Sequence, residues 1–178
     1  RRALKGFVGD VPEKVAAGDR LHLLNMGGVI GECKGHHYSL SDAIEVEVLG
    51  VASDELGFTL NIGNHALEPA NELNVSANII FVAGSCMNSG KTVAATELIK
   101  QASNSGLRVA GAKLSGIACL RDTLNMQDHG AIATASFLDC GLPSTVDCED
   151  LAPVAKAILN HLDAFAPDLI VVELGDGI

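Results

Sequence analysis

The sequence predicts an α/β protein, a parallel sheet flanked by helices, preceded by a small β-rich, barrel-like domain. Three observations lead there. Hydrophobic residues make up 48% of the 178, enough to bury a core and too many for a disordered chain. Residues 1–75 hold short alternating stretches broken by Gly, as antiparallel strands do. Residues 76–178 repeat strand, loop and helix, the pattern of a parallel sheet with crossover helices.

In the first domain Ala43–Leu49 alternates apolar and acidic residues at period two, which suits a strand with one buried and one wet face. Arg20–Met26 and Phe58–Ile62 read as further strands, with turns at Gly18-Asp19, Gly27-Gly28 and Gly63-Asn64. Cys33, His36 and His37 invite a zinc site, but structural zinc needs four ligands and no second half-site is present. They read as a polar loop.

The second domain opens with Asn78–Ala83, an apolar run expected of a strand covered on both faces. A helix follows from about Thr92, with Val93, Ala95, Leu98, Ile99 and Ala102 on its inner side and Gly106 at its end. Leu107–Ala112 is a second strand, and a second helix is expected over 128–139, closed by Gly141 and Pro143. In the third helix Asp147 is the cap, Glu149 and Asp150 sit in the first turn, and Pro153 is tolerated early. Leu151, Val154, Ile158, Leu162 and Phe165 recur along one side of it. Pro167 stops that helix, and Asp168–Glu173 is a third buried strand.

Composition narrows the function classes. The net charge is −10 and aromatics are only 3%, with no Trp. A nucleic-acid partner needs a basic field and stacking rings, so none is expected. The same charge disfavours an anionic membrane surface, and no apolar run approaches the roughly 20 residues of a span. The five scattered Cys contain no Cys-x-x-Cys pair, which predicts reduced thiols in a cytoplasmic setting.

Gly84-Ser85-Cys86-Met87-Asn88-Ser89-Gly90-Lys91-Thr92 is the segment with chemistry in it. A loop joining a strand to a helix N-terminus offers free backbone N–H groups and a favourable dipole to an anion. The two glycines let backbone wrap phosphate oxygens closely. Lys91 is placed to reach the β- and γ-phosphates, Thr92 to ligate Mg²⁺, and the run extends to Val93 in the first helical turn. Five residues separate the glycines, one more than the common pattern.

Phe81-Val82-Ala83-Gly84, five residues and Gly90-Lys91-Thr92 resemble the dethiobiotin synthetase group of P-loop proteins, relatives of the cobyrinic acid amide synthases and MinD-type ATPases. Val109-Ala110-Gly111-Ala112-Lys113 resembles that group's second strand, which ends in a Lys near phosphates and substrate. Asp128 with His129-Gly130-Ala131 resembles its Mg²⁺-ligating Asp at a helix start. Val172-Glu173-Leu174-Gly175-Asp176-Gly177 resembles its Val-Glu-Gly-Ala-Gly-Gly segment, whose Glu ligates Mg²⁺. The group's loop carboxylate is replaced by Cys86 and Asn88, and its Pro after the second-strand Lys by Leu114. The resemblance spans 78–178 and implies a chain that stops inside its nucleotide domain.

Those residues imply a Mg²⁺-dependent ATP-binding enzyme that hydrolyses ATP or moves its γ-phosphoryl group to a small-molecule carboxylate or carbamate. Lys91 and Lys113 are the catalytic candidates, and Thr92, Asp128 and Glu173 the metal candidates, with Asp122 a second acidic choice in the same stretch. Arg121 reads as a surface residue, and Ser115 and Gly116 as candidates to line a substrate pocket. GTP is the alternative nucleotide, because no Asn-Lys-x-Asp base reader is present. The resemblance also implies a homo-oligomer. The competing reading is a nucleotide-gated switch or assembly module of the MinD or metallochaperone type.

Overall fold

The structure is a computed structural model that describes residues 2–4, 6–10, 12–25, 28–86, 89–146 and 148–175. The chain divides into two compact units, Arg1–Asn61 and Ile62–Ile178. The first is an antiparallel sheet of β1 (Arg2–Leu4), β2 (Phe7–Asp10), β3 (Arg20–Leu23), β4 (Ile30–His36) and β5 (Ile44–Glu47). Its order is β1-β2-β4-β3-β5. Leu21 and Leu24 are buried in it, and the Leu24 side chain lies where Gly9 and Gly31 have no Cβ. No described pairing joins β1 to β5, so the expected barrel-like closure is not among the described strand pairs.

Phe58–Ile62 is not a strand. Asp54 Oδ1 accepts from the N–H of Leu56 at 3.0 Å and of Phe58 at 2.8 Å, a side-chain turn that competes with extended backbone. Only the bridge Ser53–Thr59 remains of a ladder, and Ile62–His65 turns into a short 3-10 helix.

The second unit is a four-stranded parallel sheet of β6 (Asn78–Val82), β7 (Val109–Lys113), β8 (Ala133–Ser136) and β9 (Leu169–Glu173), in the order β6-β9-β7-β8. Helices α1 (Lys91–Asn104) and α2 (Leu120–Asp128) cover one face, and α3 (Ala152–Asp163) the other. Strand alternation sends Val109, Leu169 and Val171 to the first face, against Ala95, Ile99 and Met126. Ala110, Ala112, Ile170 and Val172 go to the second, against Ile158 and Leu162. Gly106 takes a left-handed φ of +87° just past α1 and ends it, as its position in the sequence predicts.

Three expectations need correction. β6 is not covered on both faces: Ile80 is 40% and Phe81 54% exposed, because β9 inserts beside β6 and leaves it a single neighbour among the described strands. On α1, Val93 and Leu98 point outward, and Ala95, Thr96 and Ile99 carry the burial. Residues 128–139 do not form a helix. The helix is Leu120–Asp128, turned at Gly130 (φ +105°), and the following residues form β8 and a 3-10 turn, Phe137–Cys140. Asp147 lies outside the described residues, and Asp150 Oδ1 accepts from the Ala152 N–H at 2.9 Å at the start of α3.

Two contacts set how tightly the layers sit. A Cβ on Gly111 would come 2.8 Å from Met126 Sδ, so α2 approaches β7 only because that position has no side chain. Asp163, last in α3, accepts from the N–H groups of Ser76 and Ala77, each at 3.1 Å, just before β6 begins. Those bonds, that from Ala77 first, hold the Asp163 carboxyl below its ordinary pKa.

Gly111→Val is expected to lower stability by about 1–3 kcal/mol in urea unfolding, the cost of overpacking; an unchanged midpoint would contradict the close approach. Asp163 binds its proton more weakly folded than unfolded, so its contribution is present above the ordinary carboxylate pKa and is lost as pH falls through the lowered value. Melting curves of Asp163→Asn and wild type should therefore converge on acidification across that window. A gap that widens with acid would reverse the assignment.

Candidate anion and metal site

The register of the parallel sheet puts four residues in one row at the carboxyl ends of its strands. Val82 pairs with Glu173, Glu173 with Lys113, and Lys113 with Ser136. In-register partners on adjacent strands share a face, so Glu173 and Lys113 both emerge on the side of α1 and α2. They lie one pleat beyond the apolar pairs Val171–Gly111 and Leu169–Val109. Polar groups at the end of a buried layer must find partners or strand their charge.

Each finds one from a helix start. Thr92, second in α1, donates from Oγ1 to Glu173 Oε1 at 2.6 Å. Asp122, in the first turn of α2, pairs with the Lys113 ammonium, and both side chains are buried. The other Glu173 oxygen, Oε2, is buried and accepts no hydrogen bond among the described residues, on a residue only 3% exposed. Buried carboxylate oxygens are nearly always paired, so an open one beside a helix N-terminus is a place for a cation or donor to arrive.

The loop over this row is built around two glycines. Gly90 takes a left-handed φ of +88° and caps α1 with no side-chain bond, leaving first-turn N–H groups unclaimed by a cap. A Cβ on Gly84 would meet Lys91 Cγ and Cδ at 3.0 Å, so the buried Lys91 stem runs across that glycine. Lys91 Nζ donates to the Cys86 carbonyl at 2.8 Å and to Ser89 Oγ at 3.3 Å, holding the ammonium within the loop. On the far side Gly175 N–H donates to Ser115 Oγ at 2.8 Å, and a Cβ there would sit 2.9 Å from the Ser115 carbonyl oxygen.

The structure thus brings together Gly84, Ser89, Gly90, Lys91, Thr92, Lys113 and Glu173. Ser85 and Cys86 are exposed on the loop, and Val93 is 71% exposed on the outer side of α1. Met87, Asn88, Asp176 and Gly177 lie outside the described residues. Arg121 is exposed.

Asp128 is not part of the group. It ends α2, exposed, and α2 runs antiparallel to the strands, so its last turn stands at the amino edge, where Ile132 N–H donates to the Val109 carbonyl. Asp122 is the acid that reaches the row. Its signal was present in the sequence: Asp122 and Met126 are four apart, one helical face, and both are buried.

No protein-family model matches this chain, and no curated protein matches it. The assignment therefore rests on geometry. Among the described residues no group of three His, Cys, Asp or Glu side chains could hold a metal. One open carboxylate oxygen and one hydroxyl do not make an all-protein zinc or calcium cage.

Lys113→Met would leave Asp122 a buried carboxylate without its cation, an expected loss of about 3–5 kcal/mol. The double variant Lys113→Met/Asp122→Leu should recover most of it, because breaking a buried pair costs more than replacing it. Additive losses in a double-mutant cycle would show that the two groups do not interact.

Proposed function

We propose that this chain is a Mg²⁺-dependent nucleotide-binding protein that hydrolyses ATP or transfers its γ-phosphoryl group to a small-molecule carboxylate or carbamate. The observation that carries the reading is the buried Glu173 Oε2 beside Thr92, unpartnered among the described residues, at the foot of a glycine-flanked loop containing Lys91. GTP is the alternative nucleotide. The reading carries with it a cytoplasmic homo-oligomer acting on a small molecule, and among the described residues no helix is long and apolar enough to cross a membrane.

The chain's own groups divide the work. N–H groups at the start of α1, which no side chain caps, bind phosphate oxygens with the helix dipole behind them. Lys91, whose Nζ lies within the loop beside the Cys86 carbonyl and Ser89 Oγ, is placed to donate to a phosphate oxygen. Thr92 and Glu173 would hold Mg²⁺, with Glu173 Oε2 the open ligand. When bound, that ion neutralises charge developing on the transferred phosphoryl group. Lys113, kept in place by Asp122, faces the acceptor side. Catalysis of this kind is positioning and charge stabilisation, with no covalent protein intermediate.

Thermal melting with ATP, GTP and ADP, each with and without Mg²⁺, tests the reading. A triphosphate at about a thousandfold over its Kd adds roughly 4 kcal/mol, a rise of several degrees. Lys91→Ala should abolish the rise, and Glu173→Gln should abolish its dependence on Mg²⁺ while leaving the unliganded protein folded. No response to any nucleotide with Mg²⁺ would overturn the proposal.

A further inference from the structure

The first unit lies outside the resemblance and buries little of its apolar surface. Among its described residues only Leu21 and Leu24 are buried hydrophobics. A domain of about 60 residues is marginal even with a full core. Two apolar surfaces of this unit stay open.

The first is a hairpin that follows β5, over 52–60. Ser53 bridges Thr59, while the Asp54 N–H donates to the Phe58 carbonyl and the Leu60 N–H to the Ala52 carbonyl, each at 2.9 Å. That pairing sets Ala52, Phe58 and Leu60 on one face. Phe58 is 68% exposed, and Leu49, Val51, Leu56 and Leu60 are exposed with it. The second surface is a row across three strands, in which Leu23 pairs with Ile30 on one side and with Ile44 on the other. In-register partners share a face. Ile44 is 66% exposed, and Ile30 is exposed as well.

Charge does not oppose contact on that row. Glu45 and Glu47 alternate to the opposite face of β5, where Arg20 Nη1 donates to Glu45 Oε1 at 2.8 Å. Further along the apolar side, Glu32 and Lys34 pair with each other. At the hairpin tip Asp54 Oδ1 is used within its own turn, and Glu55 is exposed. An acidic tip argues against an anionic lipid surface as the occupant. Full burial of one aliphatic or aromatic side chain removes on the order of 100 Å² from water, so the seven exposed ones offer on the order of 500 Å² of apolar surface. Stable interfaces are about 60% apolar, so this matches the roughly 800 Å² that each partner gives to one.

We infer that the first unit is a two-fold dimerisation module. The hairpin of one copy lies on the Leu23–Ile30–Ile44 row of a second copy, and the hairpin of the second copy returns the contact. One chain carries both halves, and a reciprocal pair closes without leaving either surface open. The contact needs no nucleotide, so it stands apart from the phosphate-loop reading.

Sedimentation equilibrium of the full chain without nucleotide, up to roughly 100 μM, should find a dimer. Phe58→Asp and Ile44→Asp should each raise the dimer Kd at least tenfold and keep the wild-type circular dichroism, since both side chains are exposed in the single chain. Should an Asp variant lose that spectrum, Phe58→Ser or Ile44→Ser takes its place. Mixing the two variants gives heterodimers with one intact hairpin on one intact row, so the mixture should dimerise more tightly than either variant alone. A monomer at every concentration, a dimer that forms only with Mg²⁺ and ATP, or a dimer that both variants leave unchanged would overturn the inference. A dimer weakened by Phe58→Asp alone, with no gain on mixing, would show hairpin meeting hairpin and overturn the reciprocal seat.

Discussion

β9 lies between β6 and β7 in a register that sets Glu173 level with both Val82 and Lys113. A parallel ladder allows no local slip without turning every side chain to the other face, so the apolar layer below locks that level in place. Leu169, Val171 and Val109 are buried against Met126 under α1 and α2, and a shift of one residue in β9 would turn Leu169 and Val171 toward α3 and carry Glu173 with them, away from Thr92. The carboxylate and the ammonium are therefore delivered to one spot by hydrophobic burial acting several residues away. Their own mutual attraction does not do it, since each is paired with a helix start: Glu173 with Thr92, Lys113 with Asp122.

That arrangement explains why polar groups survive so close to a core. Burying a charge is costly unless it is paired and hydrogen-bonded. Thr92 meets Glu173 Oε1 and Asp122 meets Lys113, while among the described residues Glu173 Oε2 is open. An unmet demand at the carboxyl edge of a parallel sheet, under the N-terminus of a helix, is what a ligand-binding edge requires. The glycines around it act sterically. Gly84 leaves room for the Lys91 stem, and Gly175 leaves room for the Ser115 backbone, so the two loops close over the row without displacing it.

Much of the second unit was legible before its structure because its signals are local. Gly106 ends α1 where a left-handed residue is needed, and the apolar steps Val154, Ile158 and Leu162 describe the buried side of α3. The stretch after β7 misled for a local reason too. Asp128 next to His129-Gly130 reads as a helix start by motif, whereas Gly130 in a left-handed conformation is a helix end. The acid that pairs with Lys113 lies six residues earlier, buried with Met126. In the first unit Phe58–Ile62 carried strand-forming residues, but Asp54 captured the backbone donors of that stretch.

The sequence by itself determined β6, α1, β7, α3 and β9 as elements, and the glycine-lysine-threonine loop between a strand and a helix, because caps, periodicity and turn residues act over a few positions. Only tertiary structure decided the strand order β6-β9-β7-β8, which leaves Phe81 half uncovered and brings Glu173 level with Lys113. It also decided which of Asp122 and Asp128 reaches the row, since that depends on the direction of α2 across the sheet. Strand order and helix direction are set by how whole faces bury against each other, and no window of neighbouring residues contains that information.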